Sequence, residues 1–329
     1  MPIAAIDSFT PFCTEPSDFD QFWSLTYETL LEIDPQPVLA RQNSPVDALT
    51  YEQLSFTSLG HIGISGYLLS QNTSEPRPLV VHSHGYNSQY DVMLNWASHG
   101  CHVLGIDFRG FGRSERLPLA SGSYVMTGIN APQTSILRGN VADLVQAKRV
   151  GRMLLGERIS SLTLKGLSFG GAIALMAATL DTSADLVVAG QPTFGWHSER
   201  LRLATAGTGA ELRRYLDSNP SERENVMNTL NYFDTLHFAA RAKCPTFVGI
   251  GLDDAVVPSR SVIAISNHVA VPEFEVRILP VAHSDDPRES LWKDFDDEWL
   301  GFTTAGIPAD FGDPARQVQA IGVAEEQPA

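Results

Sequence analysis

Cysteine is scarce in this chain. Its 329 residues include three, Cys13, Cys101 and Cys244. The number is odd, the spacings are wide and no C-x-x-C pair occurs, so a disulfide framework or a zinc–thiolate site has no support. Cys101 and Cys244 open apolar runs, where buried free thiols are common. Positive charge is also short: 23 Lys and Arg stand against 38 Asp and Glu, a formal charge of −15. That balance argues against nucleic acid or an anionic membrane as partner. No run approaches the ~20 apolar residues of a membrane-spanning helix. The opening MPIAAIDSFTPFCTEP lacks the basic and apolar regions of a signal peptide. The expectation is a soluble, cytoplasmic protein.

What is present is an ordinary globular mix, 43% hydrophobic and 19% charged. A chain this long buries roughly three quarters of its surface on folding. Phe19, Phe22, Trp23, Tyr27, Leu30 and Leu31 recur at helical spacing and predict a helix over 18–33. LTYEQLSFTS and HIGISGYLLS read as two antiparallel strands around a tight glycine turn. From PLVVHSHGYN onward, apolar strands alternate with amphipathic helices, the pattern of a mostly parallel sheet covered on both faces. Residues 194–230 break that rhythm and predict an inserted helical cap. Residues 1–305 are expected to form one domain. The last stretch, 306–329, is rich in Ala, Pro, Gly and Glu with little periodicity and reads as a mobile tail. No internal repeat is found.

The chemistry is concentrated at LTLKGLSFGGAIALM. Gly166-Leu167-Ser168-Phe169-Gly170 follows a strand and opens a helix, the context of a nucleophile elbow. Its glycines permit a sharp turn. The helix N-terminus brings amide N–H groups and a positive dipole end to the serine oxygen. By itself a small serine at a turn is also a packing residue, so the rest of a triad has to be found. A serine hydroxyl needs a base, expected in the order serine, acid, histidine. His283 sits on the loop beyond the late strand EFEVRILP, better placed than the other eight histidines. The acid is expected on the loop GLDDAVVP, where Asp253 and Asp254 are both candidates; spacing does not choose between them. An oxyanion hole would combine the amide of Phe169 with a donor from the loop HGYN, 84–87.

Taken together, HGYN, DFRGFGRS, SYVMTGINAP, GLSFGG, GIGLDDAVVP and VAHSD resemble the acetyl xylan esterase / cephalosporin-C deacetylase family of α/β-hydrolases, over roughly residues 18–302. The resemblance implies Ser168 as nucleophile, Asp254 as acid and His283 as base, with oxyanion donors on the backbone of Tyr86 and Phe169. It implies removal of acetyl groups from sugars or small molecules, no metal or cofactor, and homo-oligomers, often ring-like hexamers. The chain departs from the family pattern at Phe111 (after Arg109-Gly110), Phe169 and Ser284, where Gln, Gln and Glu are usual. Phe111 and Trp196 are expected to line the substrate pocket, making it more apolar. Arg109 reads as a tie between loops. An acyltransferase or an esterase for larger acyl groups would use the same triad. A non-catalytic binding protein on this fold is the alternative from another class.

Overall fold

Short apolar runs recur between the helical segments, and in a computed structural model they pair into one ten-stranded sheet. The structure describes residues 11, 13–120, 123–283 and 290–320. In chain order its elements are α1 (Phe19–Leu31), β1 (Val38–Gln42), β2 (Leu49–Ser58), β3 (Ile62–Gln71), β4 (Arg77–Ser83), α2 (Leu94–Ser98), β5 (His102–Ile106), α3 (Ile136–Leu155), β6 (Ile159–Leu167) and α4 (Phe169–Leu180). Then come β7 (Leu186–Gly190), α5 (His197–Leu203), α6 (Gly207–Ser218), α7 (Arg223–Leu230), α8 (Thr235–Ala239), β8 (Thr246–Gly251), α9 (Ser259–Asn267), β9 (Phe274–Leu279), α10 (Ser290–Ala305) and β10 (Val318–Ala320). Among the described residues no helix is long and apolar enough to cross a membrane.

The strand order is β1-β2-β3-β5-β4-β6-β7-β8-β9-β10. β2 and β3 form the expected antiparallel hairpin, turning through Gly60 at φ 76°. β3 pairs antiparallel with β5, and from β5 to β10 every pairing is parallel. This is the α/β-hydrolase arrangement that the alternation predicts.

The sheet is covered on both faces, as a parallel sheet must be. One core takes α1, α3, α4, α8 and α9 against Leu79, Val81, Leu104, Leu164 and Val248 of the strands. The opposite core takes α2 and α10 against Val80, Val103, Val188 and Phe247. Leu164 and Lys165, adjacent on β6, face opposite layers, as alternation along a strand requires: Leu164 joins the first core, while the Lys165 ammonium sits 4.6 Å from the ring centre of Trp96 in the second.

Two elements differ from the sequence reading. β1 pairs outside β2, so the hairpin is not the sheet's edge. The supposed tail is docked as far as it is described: Phe311 is buried against Phe302, ring centres 5.4 Å apart, and β10 pairs with β9. Arg316 Nε donates to the fully buried Glu275 at 2.9 Å. One aromatic and one arginine fasten a segment that lacks any periodicity to reveal it.

Candidate active site

β6 passes into α4 through a single residue. Ser168 adopts φ 57° and ψ −114°, a region costly for a side-chain-bearing residue. The turn survives because its surroundings are glycine: a Cβ on Gly166 would lie 2.1 Å from the Gly170 carbonyl carbon, and one on Gly170 would lie 2.8 Å from Ser83 O. Neighbouring backbone completes the clamp. The Ser168 amide donates to Gly190 O at 2.8 Å, and the Thr193 amide donates to Ser168 O at 3.3 Å.

Two loops at the ends of neighbouring strands bring the acid and base together. Asp254 follows β8 and is buried, whereas Asp253 beside it is exposed. Asp254 Oδ1 accepts the amides of Val256 and Val257 at 2.7 and 2.9 Å. Its Oδ2 lies 2.6 Å from Nδ1 of His283, which follows β9. The carboxylate is thus held by its own turn while it grips the ring, which leaves Nε2 as the nitrogen for proton transfer. Ser168 and His283 line one cavity of about 970 Å³. Of the two carboxylates left open by spacing, the structure brings Asp254 to the imidazole. The direction of its side chain, invisible in the sequence, is set by the turn into Val257.

The loop after β4 forms another wall. His84 Nδ1 donates to Gly85 O at 2.6 Å and its Nε2 accepts the Phe108 amide at 3.1 Å, so a neutral ring pins the loop. Burial holds its pKa below the ordinary imidazole value. Tyr86 and Phe169 both line the cavity. The Phe169 ring is fully buried, 5.3 Å from Phe108 and 5.5 Å from Phe194. On the cavity wall the buried His82 meets the Tyr67 hydroxyl at 2.6 Å, and burial lowers its pKa to about 3. Arg109 ties loops together, as expected: Nε and Nη2 form a forked pair with Asp143 at 2.9 and 2.7 Å, and Nη2 also donates to Leu59 O at 3.0 Å.

Phe111 and Trp196, expected in the pocket, are not among the residues lining this cavity. Phe111 turns into a ring cluster, 4.3 Å from Tyr124 and 5.2 Å from His84. Trp196 sits at the start of α5, its amide donating to Asp234 Oδ1 at 3.0 Å and its ring beneath Arg260 at 5.6 Å. A loop position does not fix where a side chain points. Ser284 lies outside the described residues. The lining instead includes Leu167, Thr193, Thr208, Val256, Val257 and Trp292. Leu167 and the two valines lie within three residues of Ser168 and Asp254 in the sequence. Thr208 and Trp292 come from distant helices and carry no sequence signal.

Comparison with known proteins agrees with this architecture. The model of the acetyl xylan esterase family (AXE1) matches residues 1–299. Acetyl esterase Axe7A of Xylanibacter ruminicola is 23% identical over 293 residues, covering 82% of this chain; the chain spans 64% of the length of that relative. Among solved structures, an acetyl xylan esterase from Paenibacillus sp. R4 superposes with a TM-score of 0.83 at 24% identity, covering 92% of this chain and 100% of its own. Acetyl xylan esterase 1 from Thermoanaerobacterium sp. JW/SL YS485 gives 0.80 at 22% identity, covering 91% and 98%. The fold is shared with these structures, and the chain belongs to the acetyl xylan esterase family.

Proposed function

We propose that this protein is a serine carboxylic-ester hydrolase that removes small, acetyl-type O-acyl groups from sugars or small molecules. The observation that carries the reading is the Asp254–His283 contact of 2.6 Å in the same cavity as a serine held at an elbow. Ser168 Oγ attacks the acyl carbon while His283 Nε2 takes its proton. The charge that develops on the carbonyl oxygen is met by the amides of Tyr86 and Phe169, in a site where each donor is worth roughly 10²–10³ in rate. Collapse of the tetrahedral species breaks the bond to the alcohol, which leaves with the proton from His283. Water, deprotonated by the same ring, then releases the acid and restores Ser168. Asp254 keeps the imidazole oriented and favours its charged form.

Polar groups in the cavity wall, among them Gln89, Asp91 and Lys165, support water rather than an apolar acceptor as the second nucleophile. The test is hydrolysis of p-nitrophenyl acetate. Ser168→Ala should lower kcat by roughly 10⁴-fold or more with the fold intact, and mass spectrometry of the native chain should detect one acetyl group on Ser168 during turnover. Undiminished turnover by the alanine variant removes the assignment. A series from acetyl to octanoyl esters then sets the acyl length.

A further inference from the structure

Oxyanion donors work only if they are held where the charge will appear. Phe169 is held by the helix it begins. Tyr86 lies on a loop whose next residues, 87–89, are exposed, with Asn87 at φ 53°. What fixes Tyr86 is its side chain. Its hydroxyl donates to Glu211 Oε2 at 2.8 Å and accepts the Tyr124 amide at 3.2 Å. Ser123 Oγ donates to the same carboxylate oxygen at 2.7 Å. Three segments remote in sequence therefore meet at one atom: the loop after β4, residues 123–124, and α6.

Burial and then the bond to Glu211 push the Tyr86 phenol up to about 12, so it stays protonated and remains a donor. Its ring is walled by Phe169 at 6.0 Å and Phe111 at 6.2 Å. The segment that carries Glu211 also touches the acid loop. The Thr205 amide donates to Ala255 O at 3.0 Å, and a Cβ on Gly207 would come 2.7 Å from Val256 Cγ1. Gly207 and Thr208 line the cavity themselves.

We infer that Glu211 is a positioning residue for ester hydrolysis: from α6 it holds Tyr86 by its hydroxyl so that the Tyr86 amide is aimed at the oxyanion, which couples the seating of α6 to transition-state stabilisation. The inference rests on the serine-esterase reading. A carboxylate that merely glued α6 in place would change stability and substrate binding; one that aims an amide changes kcat.

The experiment compares native protein, Glu211→Leu, Glu211→Gln, Tyr86→Phe and the Tyr86→Phe/Glu211→Leu pair on p-nitrophenyl acetate, with melting temperatures alongside. Glu211→Leu should lower kcat roughly 10- to 100-fold, the scale of a misplaced rather than deleted donor, with KM nearly unchanged. Glu211→Gln keeps an acceptor oxygen and should restore most of the loss. Tyr86→Phe deletes the same bond, together with the one from the Tyr124 amide, without touching α6; it should lose at least as much as Glu211→Leu, and the pair should lose no more than Tyr86→Phe alone. If both single variants turn over like the native protein, or if their losses multiply in the pair, the positioning role is overturned while the esterase reading stands. Absence of Ser168-dependent turnover in the native chain overturns both.

Discussion

The turn that carries Ser168 and the helical segment α5–α7 both face the cavity, but they are held in different ways. At the turn, backbone packs on backbone: Gly166 and Gly170 have no room for a methyl group, and Ser168 is bonded to the backbone of β7 and the residues after it. Apart from the backbone bond of Thr205 to Ala255, the helical segment is tied by side chains. Buried Asp234 accepts the amides of Trp196, His197 and Leu236 and approaches the Cys13 thiol, while Glu211 ties α6 to Tyr86. Backbone packing against glycine leaves no alternative geometry. Side-chain ties permit substitution and small shifts.

Four experiments sharpen or break that contrast, in order of expected effect. Asp254→Asn leaves the ring in the wrong tautomer and should cut kcat roughly 10⁴-fold, whereas Asp253→Asn should stay within about twofold; steady-state kinetics on both decides, and equal losses would mean the acid loop is not held as described. Gly166→Ala should cost about 3 kcal/mol or more, since the clash is with backbone that cannot move aside. An unchanged urea midpoint would show the turn to be softer than its contacts. Asp234→Ala leaves three amides, two of them buried, without their acceptor and should cost about 2 kcal/mol, with KM raised more than kcat is lowered. A loss confined to kcat would place α5 in the machinery rather than the pocket wall.

The smallest effect is the change in stability between pH 7 and 6. Burial lowers the pKa of His82, beside the turn, to about 3 and of His197, in the helical segment, to about 4, from the ordinary 6.5. As pH falls below 6.5 the unfolded chain takes up protons that the folded chain refuses. Stability should therefore decline from about pH 6.5 toward 4, by up to about 1.4 kcal/mol per unit for each ring. Urea midpoints at pH 7, 6 and 5 test this, and a flat series would mean the rings are open to water.

Local order was readable wherever a physical rule acts over a few residues. The α/β alternation, the hairpin at 49–71 and the glycine-flanked elbow follow from periodicity and from sterics at adjacent positions. β1 was missed because VLARQ is largely exposed and shows no apolar face. The docked stretch to Ala320 was missed because Phe311 and Arg316 act singly, through Phe302 and Glu275. Sequence position predicts Phe111 and Trp196 in the pocket, but Phe111 packs against His84, Tyr86 and Tyr124 and Trp196 lies beneath Arg260.

The amino-acid order by itself determined that Ser168 stands between a strand and a helix, that an acid and a histidine follow on later loops, and that the sheet is mostly parallel, because these depend on backbone sterics and on alternation within one element. Asp254 over Asp253 is left open by spacing and implied by the family resemblance, and the structure supplies its contact with His283; only the tertiary structure decided that Glu211 reaches Tyr86 across 125 positions and which side chains wall the cavity. Those outcomes depend on where side chains from separate elements point after the layers have packed, and no local pattern encodes that direction.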